Sequence, residues 1–469
     1  MSHDVVICGA GPAGGAVARR LAAAGLQVVL VGGPARPGWE GLSSRSRTLL
    51  SEEGIDAGNE VIAGPFERRG AWANGRRVEG AEWLVERAAL ANAMRDRARE
   101  HGAEYRADTV TRTARVGDHW QVELSGGETL RAGMVVDARG RRARSPQSPR
   151  SSRGAPRRSG PVLLAMGQAL HRASGSWGTG IGVTDAGWCW WAEQGEWLWV
   201  QMIGQPRGMH PAAWMAAAAA HIPALARAVA SACPAGDLVA CAARTQLGGA
   251  NGAGASVPDQ PPLGGANRSF DGDPMFWTAG DAAMALDPLS GQGVYEAVRG
   301  ARLVATAILS VMDGGDARLA RRFVAERSEE AWLRGVTTAA AFYRENATRG
   351  RFWSETAQAY EALGAVRDGA AAADGSASVR VERRAVLDQG RIVEREVVVT
   401  MDHPRGVWHV AGVPLAALHR YLGTAQLATV EVAAVALDRT PAAVASAMNW
   451  LRERGPALSQ VLPRVSSGG

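Results

Sequence analysis

The first 31 residues of the chain constrain its fold more than any other segment. Two apolar runs, at residues 4–8 and 26–31, flank a helix-forming segment that opens on a glycine-rich turn. The order strand, glycine turn, helix and strand is the context in which a G-x-G-x-x-G spacing indicates a dinucleotide-binding unit. In such a turn the glycines allow the tight bend, the approach of a pyrophosphate and close helix–strand packing. The residues predicted to contact a dinucleotide here are Gly9, Gly11, Pro12, Ala13 and Gly14.

A second motif lies far along the chain, at residues 276–302. The apolar run before Gly280 is typical of a strand buried on both faces, and Asp281 follows at its end, where a carboxylate can bind a ligand hydroxyl. Gly291 and Gly293 let backbone N–H groups approach a flat ligand. They precede the predicted helix 294–308, whose N-terminus favours partial negative charge.

Together the two motifs resemble those of the FAD-dependent aromatic hydroxylases (group A flavoprotein monooxygenases) and of the related halogenases, over roughly residues 1–350. The resemblance implies FAD as cofactor, with Gly280 and Asp281 at its ribityl chain. It also implies that NAD(P)H reduces the flavin, that oxygen adds at flavin C4a and that the hydroperoxide attacks an electron-rich aromatic ring. The loop implied to position the isoalloxazine ring comprises Pro288, Gly291, Gln292 and Gly293, and no acid or base is assigned.

The resemblance extends to further cofactor positions, which are Arg45, Arg47, Arg87 and the backbone of Val110. A variant Asp137…Gly140 motif is implied near the pyrophosphate, and Arg139 and Arg141 within it can pair with phosphates. The second strand departs from the family pattern, because it ends in Gly32 where relatives carry an acid that binds the adenosine ribose. The ribose contacts are therefore expected to come from elsewhere.

Composition excludes several other classes of protein. A hydrophobic share of 46% and a charged share of 21% are ordinary for a globular protein. All 52 basic residues are arginines, and the net charge of +6 is explained better by genome composition than by nucleic-acid binding. The 4 cysteines show neither metal-ligand nor disulfide spacing, so we expect a reducing, cytoplasmic location and no metal. No signal peptide or membrane segment is expected, and the oligomeric state is left open.

The coarse pattern predicts an α/β fold with three parts. A Rossmann-like FAD-binding domain, with the helices that follow it, takes residues 1–160 and 263–368. Short, Trp-rich runs separated by turn residues predict an inserted antiparallel sheet for the substrate at residues 161–262. A small-residue linker, 369–378, leads to a mainly helical, winged-helix-like domain at residues 379–462. Within the first part, an amphipathic helix is predicted from Trp83 to Glu100.

The chain is unusually rich in tryptophan, with 16 against 5 tyrosines and 6 phenylalanines. Sheet packing explains most of them. Strand alternation nevertheless places Trp188 and Trp190 on one face and Trp191 on the other. We predict that Trp188, Trp190 and Trp199 line a pocket for an aromatic substrate.

Four functions fit the resemblance. Halogenases of this fold use an active-site lysine and a Trp-x-Trp-x-Ile-Pro segment; this chain has no lysine, and its Trp197-Leu-Trp-Val-Gln-Met run departs from that segment. Hydroxylation of an aromatic ring is therefore preferred over halogenation. A geranylgeranyl-type reductase and a non-catalytic flavoprotein partner are the further alternatives.

Within the hydroxylases, the Asp287-Pro-Leu-Ser-Gly-Gln-Gly loop, the lack of lysine and the C-terminal module are most similar to those of the flavoprotein monooxygenases that mature tryptophylquinone cofactors, such as that of quinohemoprotein amine dehydrogenase. That likeness implies a tryptophan within a polypeptide as the substrate. The alternative is a small phenol or indole in natural-product metabolism.

Overall fold

The computed structural model describes residues 2–55, 61–73, 80–142, 158–173, 175–205, 210–230, 232–247, 275–365, 379–424 and 429–454. The predicted linker 369–378 lies outside the described residues. By compactness the chain divides into two units, one of residues 1–309 and 324–366 and the other of residues 310–323 and 367–469.

The described strands are β1 (Ser2–Cys8), β2 (Val28–Val31), β3 (Trp39–Leu42), β4 (Ile62–Gly70), β5 (Ala81–Glu86), β6 (Glu104–Arg106), β7 (Val110–Val116), β8 (His119–Leu124), β9 (Thr129–Asp137), β10 (Arg158–His171), β11 (Trp177–Thr184), β12 (Gly187–Gln194), β13 (Trp197–Gly204), β14 (Cys233–Pro234), β15 (Val239–Leu247), β16 (Phe276–Thr278), β17 (Met284–Ala285), β18 (Arg380–Asp388), β19 (Arg391–Val399), β20 (His409–Val410) and β21 (Val413–Pro414).

The described α-helices are α1 (Pro12–Ala23), α2 (Ser44–Glu52), α3 (Arg87–Glu100), α4 (Pro211–His221), α5 (Pro223–Val229), α6 (Gly293–Met312), α7 (Ala317–Glu345), α8 (Arg351–Ala365), α9 (Leu415–Thr424), α10 (Val430–Leu437) and α11 (Pro441–Arg454).

The first sheet carries the dinucleotide motif. Its strand order is β6-β2-β1-β9-β8-β7, and β16 also pairs with β9. The pairs β6–β2, β2–β1, β1–β9 and β9–β16 are parallel, whereas β7, β8 and β9 are antiparallel neighbours. The last four residues of β1 are fully buried, as expected for a parallel strand covered on both faces. The two motifs, which are distant in sequence, follow β1 and β16, and both of these strands pair with β9 in the same sheet.

The second sheet is large and mostly antiparallel. Its order is β17-β15-β10-β13-β12-β11-β4-β5-β3, with β14 on β10. It therefore includes β3–β5 and β17 in addition to strands from the predicted substrate segment. One face packs on α4 and α5 through Trp191 and Trp214, and the other face carries Trp188, Trp190 and Trp199. The alternation along β12 separates the tryptophans as the sequence predicted.

The helix predicted from Trp83 is wrong in its first turn. Residues 81–86 form β5, and the helix α3 begins only at Arg87. The reason is tertiary pairing, since β5 lies between β3 and β4 in the sheet and pairs with both. Leu84 and Val85 are fully buried there. Such pairing overrides a local helical pattern.

The second unit contains the predicted C-terminal module. A hairpin of β18 and β19 turns at Gln389-Gly390, where both residues have positive φ, 48° and 81°. The helices α9, α10 and α11 share a core with β19 that includes Leu418, Val444 and Met448. The predicted α/β fold with a mainly helical C-terminal region is thus confirmed. None of the helices in the described ranges is long and apolar enough to span a membrane.

Candidate active site

A cavity of about 1140 Å³ opens where the parallel strands of the first sheet end. Its wall includes the turns that follow β1, β2, β9 and β16, at residues 9–13, 31–36, 138–141 and 280–281. Ligands of α/β sheets bind outside the carboxyl ends of the strands, so the position itself indicates a binding site. The cavity also reaches the tryptophan-bearing face of the second sheet.

Backbone turns form the wall at this end because side chains would not fit between them. A Cβ on Gly14 would lie 1.8 Å from the Gly9 carbonyl oxygen, and one on Gly280 would lie 2.7 Å from Ala13 Cβ. Gly9 itself has a φ of +117°, which favours glycine, and a Cβ there would meet the Ala138 carbonyl at 2.4 Å. The contact between Gly280 and Ala13 brings the two sequence motifs together.

Other glycines of the wall are open toward the cavity. A Cβ on Gly11, Gly291 or Gly293 would meet no protein atom within 4 Å. Gly11 is the N-cap of α1 and Gly293 is the first residue of α6, and no side chain caps α1. Unpaired backbone N–H groups at a helix start bind anions and partial negative charge.

These features fit FAD. The cavity offers an uncapped helix start for a pyrophosphate, open glycines for a flat ring and, among its arginines, Arg36, Arg139 and Arg141 beside these turns. Asp281 lies in the same wall and pairs with Arg141, whose Nε is 3.0 Å from Asp281 Oδ2. When bound, FAD supplies the redox chemistry, and these residues would hold it.

An acid that the sequence motifs do not include lines the cavity, although it does not stand at the end of β2. Asp108 lines the cavity beside Val110. Its carboxylate accepts hydrogen bonds from the Ser125 hydroxyl and from the backbone N–H of Thr109 and Gly126. The hydrogen bond from Ser125 is the main reason that the pKa of Asp108 is lowered. Asp108 therefore carries negative charge near the position where the sequence lacks the ribose-binding acid.

The loop at Pro288 is held by a buried carboxylate. Asp287 is 3% exposed, and its Oδ1 accepts the backbone N–H of Leu289 at 2.8 Å. Its Oδ2 accepts the hydroxyls of Tyr360 at 2.5 Å and Tyr343 at 3.2 Å. Burial raises the pKa of Asp287, and burial also raises the pKa of both tyrosines. The phenols therefore stay protonated and donate, which fixes the turn that precedes Gly291.

The tyrosine network also reaches the aromatic wall. Trp188 Nε1 donates to the Tyr343 hydroxyl at 3.4 Å, and the Thr245 hydroxyl lies 2.7 Å from that of Tyr360. Trp188 lines the cavity, whereas the tyrosines lie behind the wall. Side chains of β12 and β15 thus bond the tyrosines of α7 and α8, which in turn donate to the Asp287 carboxylate.

The far end of the cavity combines tryptophans with two acid–arginine groups. Trp188, Trp190 and Trp199 are all less than 9% exposed and all line the cavity. Arg87 Nε donates to Glu40 Oε1 at 2.6 Å. The second group consists of Glu82 and Arg68, which also line the cavity.

The structure brings most of the predicted residues to this cavity. The predicted residues that line it are Gly9, Gly11, Pro12, Ala13, Arg87, Val110, Gly280, Asp281, Pro288, Gly291, Gly293, Trp188, Trp190 and Trp199. Gly14 supports the turn from behind. Arg45 donates to the Tyr295 hydroxyl at 3.0 Å, and Arg47 lies 5.7 Å from the centroid of Trp83. Arg45, Arg47 and Gln292 are not part of the cavity wall.

Sequence reasoning predicted Asp281 but missed three other acids of the site. Asp108, Glu82 and Glu40 belong to none of the sequence motifs. Tyr343 and Tyr360 were also missed; they are fully buried, and their hydroxyls donate to Asp287. For Glu82 the signal is Gly41 on the neighbouring strand, which is visible only once the strands are paired.

Comparison with known proteins agrees with this geometry. The family model for lycopene cyclase proteins matches residues 4–159. The solved halogenase CmlS, described as flavin-dependent, is 17% identical with a TM-score of 0.66, over 94% of this chain and 92% of its own. The p-nitrophenol 4-monooxygenase PnpA from Pseudomonas putida DLL-E4 is 16% identical with a TM-score of 0.56, over 78% and 95%. A search of curated sequences found no significant match.

The fold and the cavity define the class: the chain is a flavin-dependent oxidoreductase of the monooxygenase type, which confirms the predicted resemblance. Within that class it is similar to QhpG, a peptidyl tryptophan dihydroxylase essential for tryptophylquinone cofactor biogenesis. The two are 28% identical with a TM-score of 0.76, over 97% of this chain and 100% of QhpG.

The two glycines of the α1 turn should respond differently to the same change. Gly14→Ala places a methyl group 1.8 Å from a carbonyl oxygen, so we expect a clear loss of thermal stability together with loss of FAD. Gly11→Ala meets no protein atom within 4 Å, so this variant should fold normally and bind FAD more weakly. Thermal unfolding of the apoprotein and flavin titration measure the two effects. If the two variants lost thermal stability and FAD affinity to the same extent, the separate roles given to Gly14 and Gly11 would be wrong.

The buried Asp287 should make stability depend on pH in a defined direction. The pKa of Asp287 is raised in the folded state. Its contribution to the free energy of unfolding is therefore fully present below the pKa of the unfolded chain, about 3.9, and is lost as pH rises through the folded-state pKa. The free energy of unfolding of the wild type, relative to Asp287→Asn, should therefore fall with pH, by at most about 1.4 kcal/mol per unit. Denaturant titrations across pH test this.

Asp108→Asn is the matched control for that experiment. The pKa of Asp108 is lowered in the folded state, so its contribution is present above its unfolded pKa and is lost as pH falls. The wild type should gain stability relative to Asp108→Asn as pH rises, which is the opposite direction. Parallel curves for the wild type and Asp287→Asn would show that Asp287 does not titrate as described.

Proposed function

We propose that this enzyme inserts oxygen from O₂ into an aromatic ring, with FAD as cofactor and NAD(P)H as reductant. Its substrate is a tryptophan side chain within a polypeptide, modified during maturation of a quinone cofactor. The observation that carries the proposal is the single cavity that joins the open glycines of the two motifs to the wall of Trp188, Trp190 and Trp199. The similarity to QhpG over 97% of the chain supports the polypeptide substrate.

The protein's own part in this reaction is binding, orientation and exclusion of water. Reduced FAD supplies the activation of oxygen. The backbone N–H groups around Gly291 and Gly293 would stabilise partial negative charge at the flat ring. Asp287 and its two tyrosines hold that loop in place. The tryptophan wall, less than 9% exposed at each position, excludes water and offers ring faces to an aromatic substrate.

Halogenation is the competing function within the same fold. The likeness to CmlS, at 17% identity, concerns the fold alone. The chain contains no lysine, so it cannot supply the lysine that the family resemblance assigns to halogenases. Oxygen insertion therefore remains the preferred reaction. A small phenol or indole is the alternative substrate.

The C-terminal unit supports a macromolecular substrate. A hydroxylase of a free metabolite does not require an added module of this size. On α10, Val432 and Val435 are 50% and 84% exposed, and they stand one helical turn apart on the same side. We assign to this unit the role of holding the polypeptide. The four free cysteines support a reducing compartment, and we place the enzyme in the cytoplasm.

The reaction class is tested by product mass. A tryptophan-containing polypeptide incubated with holoenzyme, NAD(P)H and ¹⁸O₂ should gain oxygen label at tryptophan. Added chloride or bromide should leave the product unchanged, because the halogenase lysine is absent. Mass spectrometry of the digested polypeptide is the measurement. A product that carries halogen contradicts oxygen insertion, and brisk oxidation of free tryptophan or phenol with none of the polypeptide contradicts the proposed substrate.

The role of the C-terminal unit is tested on α10. Val432→Glu/Val435→Glu places two charges on an exposed apolar surface. We expect the KM for the polypeptide to rise about tenfold while FAD content and slow NAD(P)H oxidation stay unchanged. The matched control is Arg420→Glu on α9, which is exposed in the same unit. If both variants oxidise the polypeptide like the wild type, the unit does not hold the substrate through α10.

A further inference from the structure

Glu82 is a carboxylate built into the tryptophan end of the cavity. Its side chain is 12% exposed and lines the cavity beside Trp190. Trp190 Nε1 donates to Glu82 Oε2 at 3.2 Å, while Arg68 Nε lies 4.0 Å from the same oxygen. By contrast, the carboxylates of Glu40 and Asp281 bond directly to arginines at 2.6 and 3.0 Å. Glu82 is thus oriented by a neutral indole, and its ion pair with Arg68 is longer than the arginine contacts of Glu40 and Asp281.

The fold reserves space for this carboxylate. A Cβ on Gly41, in the neighbouring strand β3, would lie 2.1 Å from Glu82 Oε1. Within the described part of the chain, no hydrogen bond reaches Oε1, so this oxygen keeps its capacity to accept one. A charged acceptor held against aromatic rings forms strong hydrogen bonds, because the surrounding dielectric is low.

Trp199 adds a further aromatic face to the same wall. It is 4% exposed and lines the cavity. A Cβ on Gly167 would lie 2.2 Å from the Trp199 ring, so this side chain too occupies space that a glycine leaves free. The free oxygen of Glu82 is thus set among the rings of an aromatic wall.

The complement of this wall is a flat aromatic ring that carries an N–H donor. We propose that Glu82 accepts the ring N–H of an indole and thereby selects the substrate and sets its orientation. The inference rests on the proposed function, because it identifies which atoms of a tryptophan residue the cavity binds. Glu82 acts as a specificity-determining residue that takes no part in electron transfer.

The test uses holoenzyme and two probes, indole and 1-methylindole, with dissociation constants read from the change in flavin absorbance. The probes differ in the N–H, so their affinity ratio isolates this hydrogen bond. The wild type should bind indole about tenfold or more tightly, as expected for a hydrogen bond to a charged group. Glu82→Leu should bring the ratio close to one, and Glu82→Gln, which keeps a neutral acceptor, should fall between. Glu67→Gln, a matched control on β4 that is exposed and lies outside the cavity wall, should keep the wild-type ratio.

A second variant keeps the inference testable if Glu82→Leu does not fold. Gly41→Ala leaves the carboxylate in the chain but fills the position of its Oε1, so it should lower the ratio as well. A ratio of one in the wild type, a ratio unchanged in Glu82→Leu, or no binding of indole overturns the inference. The failure of this inference is distinguishable from the failure of the proposed function. If peptidyl tryptophan gains labelled oxygen but the affinity ratio is the same in the wild type and the Glu82 variants, only the role of Glu82 is wrong. If the affinity ratios are as expected but no oxygen is inserted, only the proposed reaction is wrong.

Discussion

The close approach of bare backbone at the ends of the parallel strands is the constraint on which the structure depends. The Gly14 Cα lies so near the Gly9 carbonyl oxygen that a Cβ would come within 1.8 Å of it, and a Cβ on Gly280 would lie 2.7 Å from Ala13 Cβ. The first contact fixes the turn into α1, and the second packs the start of α1 against the turn after β16. Without them the helix start would not face the cavity, and Asp281 would not lie beside it.

At the other end of the cavity, glycines again allow a close approach, but there they lie against side chains and not against backbone. Gly38 leaves room for the Arg87 guanidinium, Gly41 for the Glu82 carboxylate and Gly167 for the Trp199 ring. A sheet usually buries its large residues against other large residues. Here glycines on neighbouring strands admit charged and aromatic groups to the wall, so the pocket is polar in places while its surroundings stay close-packed.

Asp287 links the two halves of the cavity. A carboxylate with a raised pKa is costly to ionise in a buried site, and three donors from the loop, α7 and α8 surround it. Because Tyr343 also receives the Trp188 N–H, the loop at Pro288 and the aromatic wall share one hydrogen-bond network. The position of the loop is therefore set by the helices behind it.

The sequence by itself determined the two glycine-containing motifs, the strands of the tryptophan-rich segment and the mainly helical character of the C-terminal region, because each depends on local spacing and alternation. It misplaced the start of α3, since β5 exists only through pairing with β3 and β4. The tertiary structure alone decided which acids serve the cavity. Glu82 meets a tryptophan 108 residues away, and Asp287 meets tyrosines 56 and 73 residues away. Such partners follow from how strands and helices pack in space, and no periodicity in the chain encodes that distance.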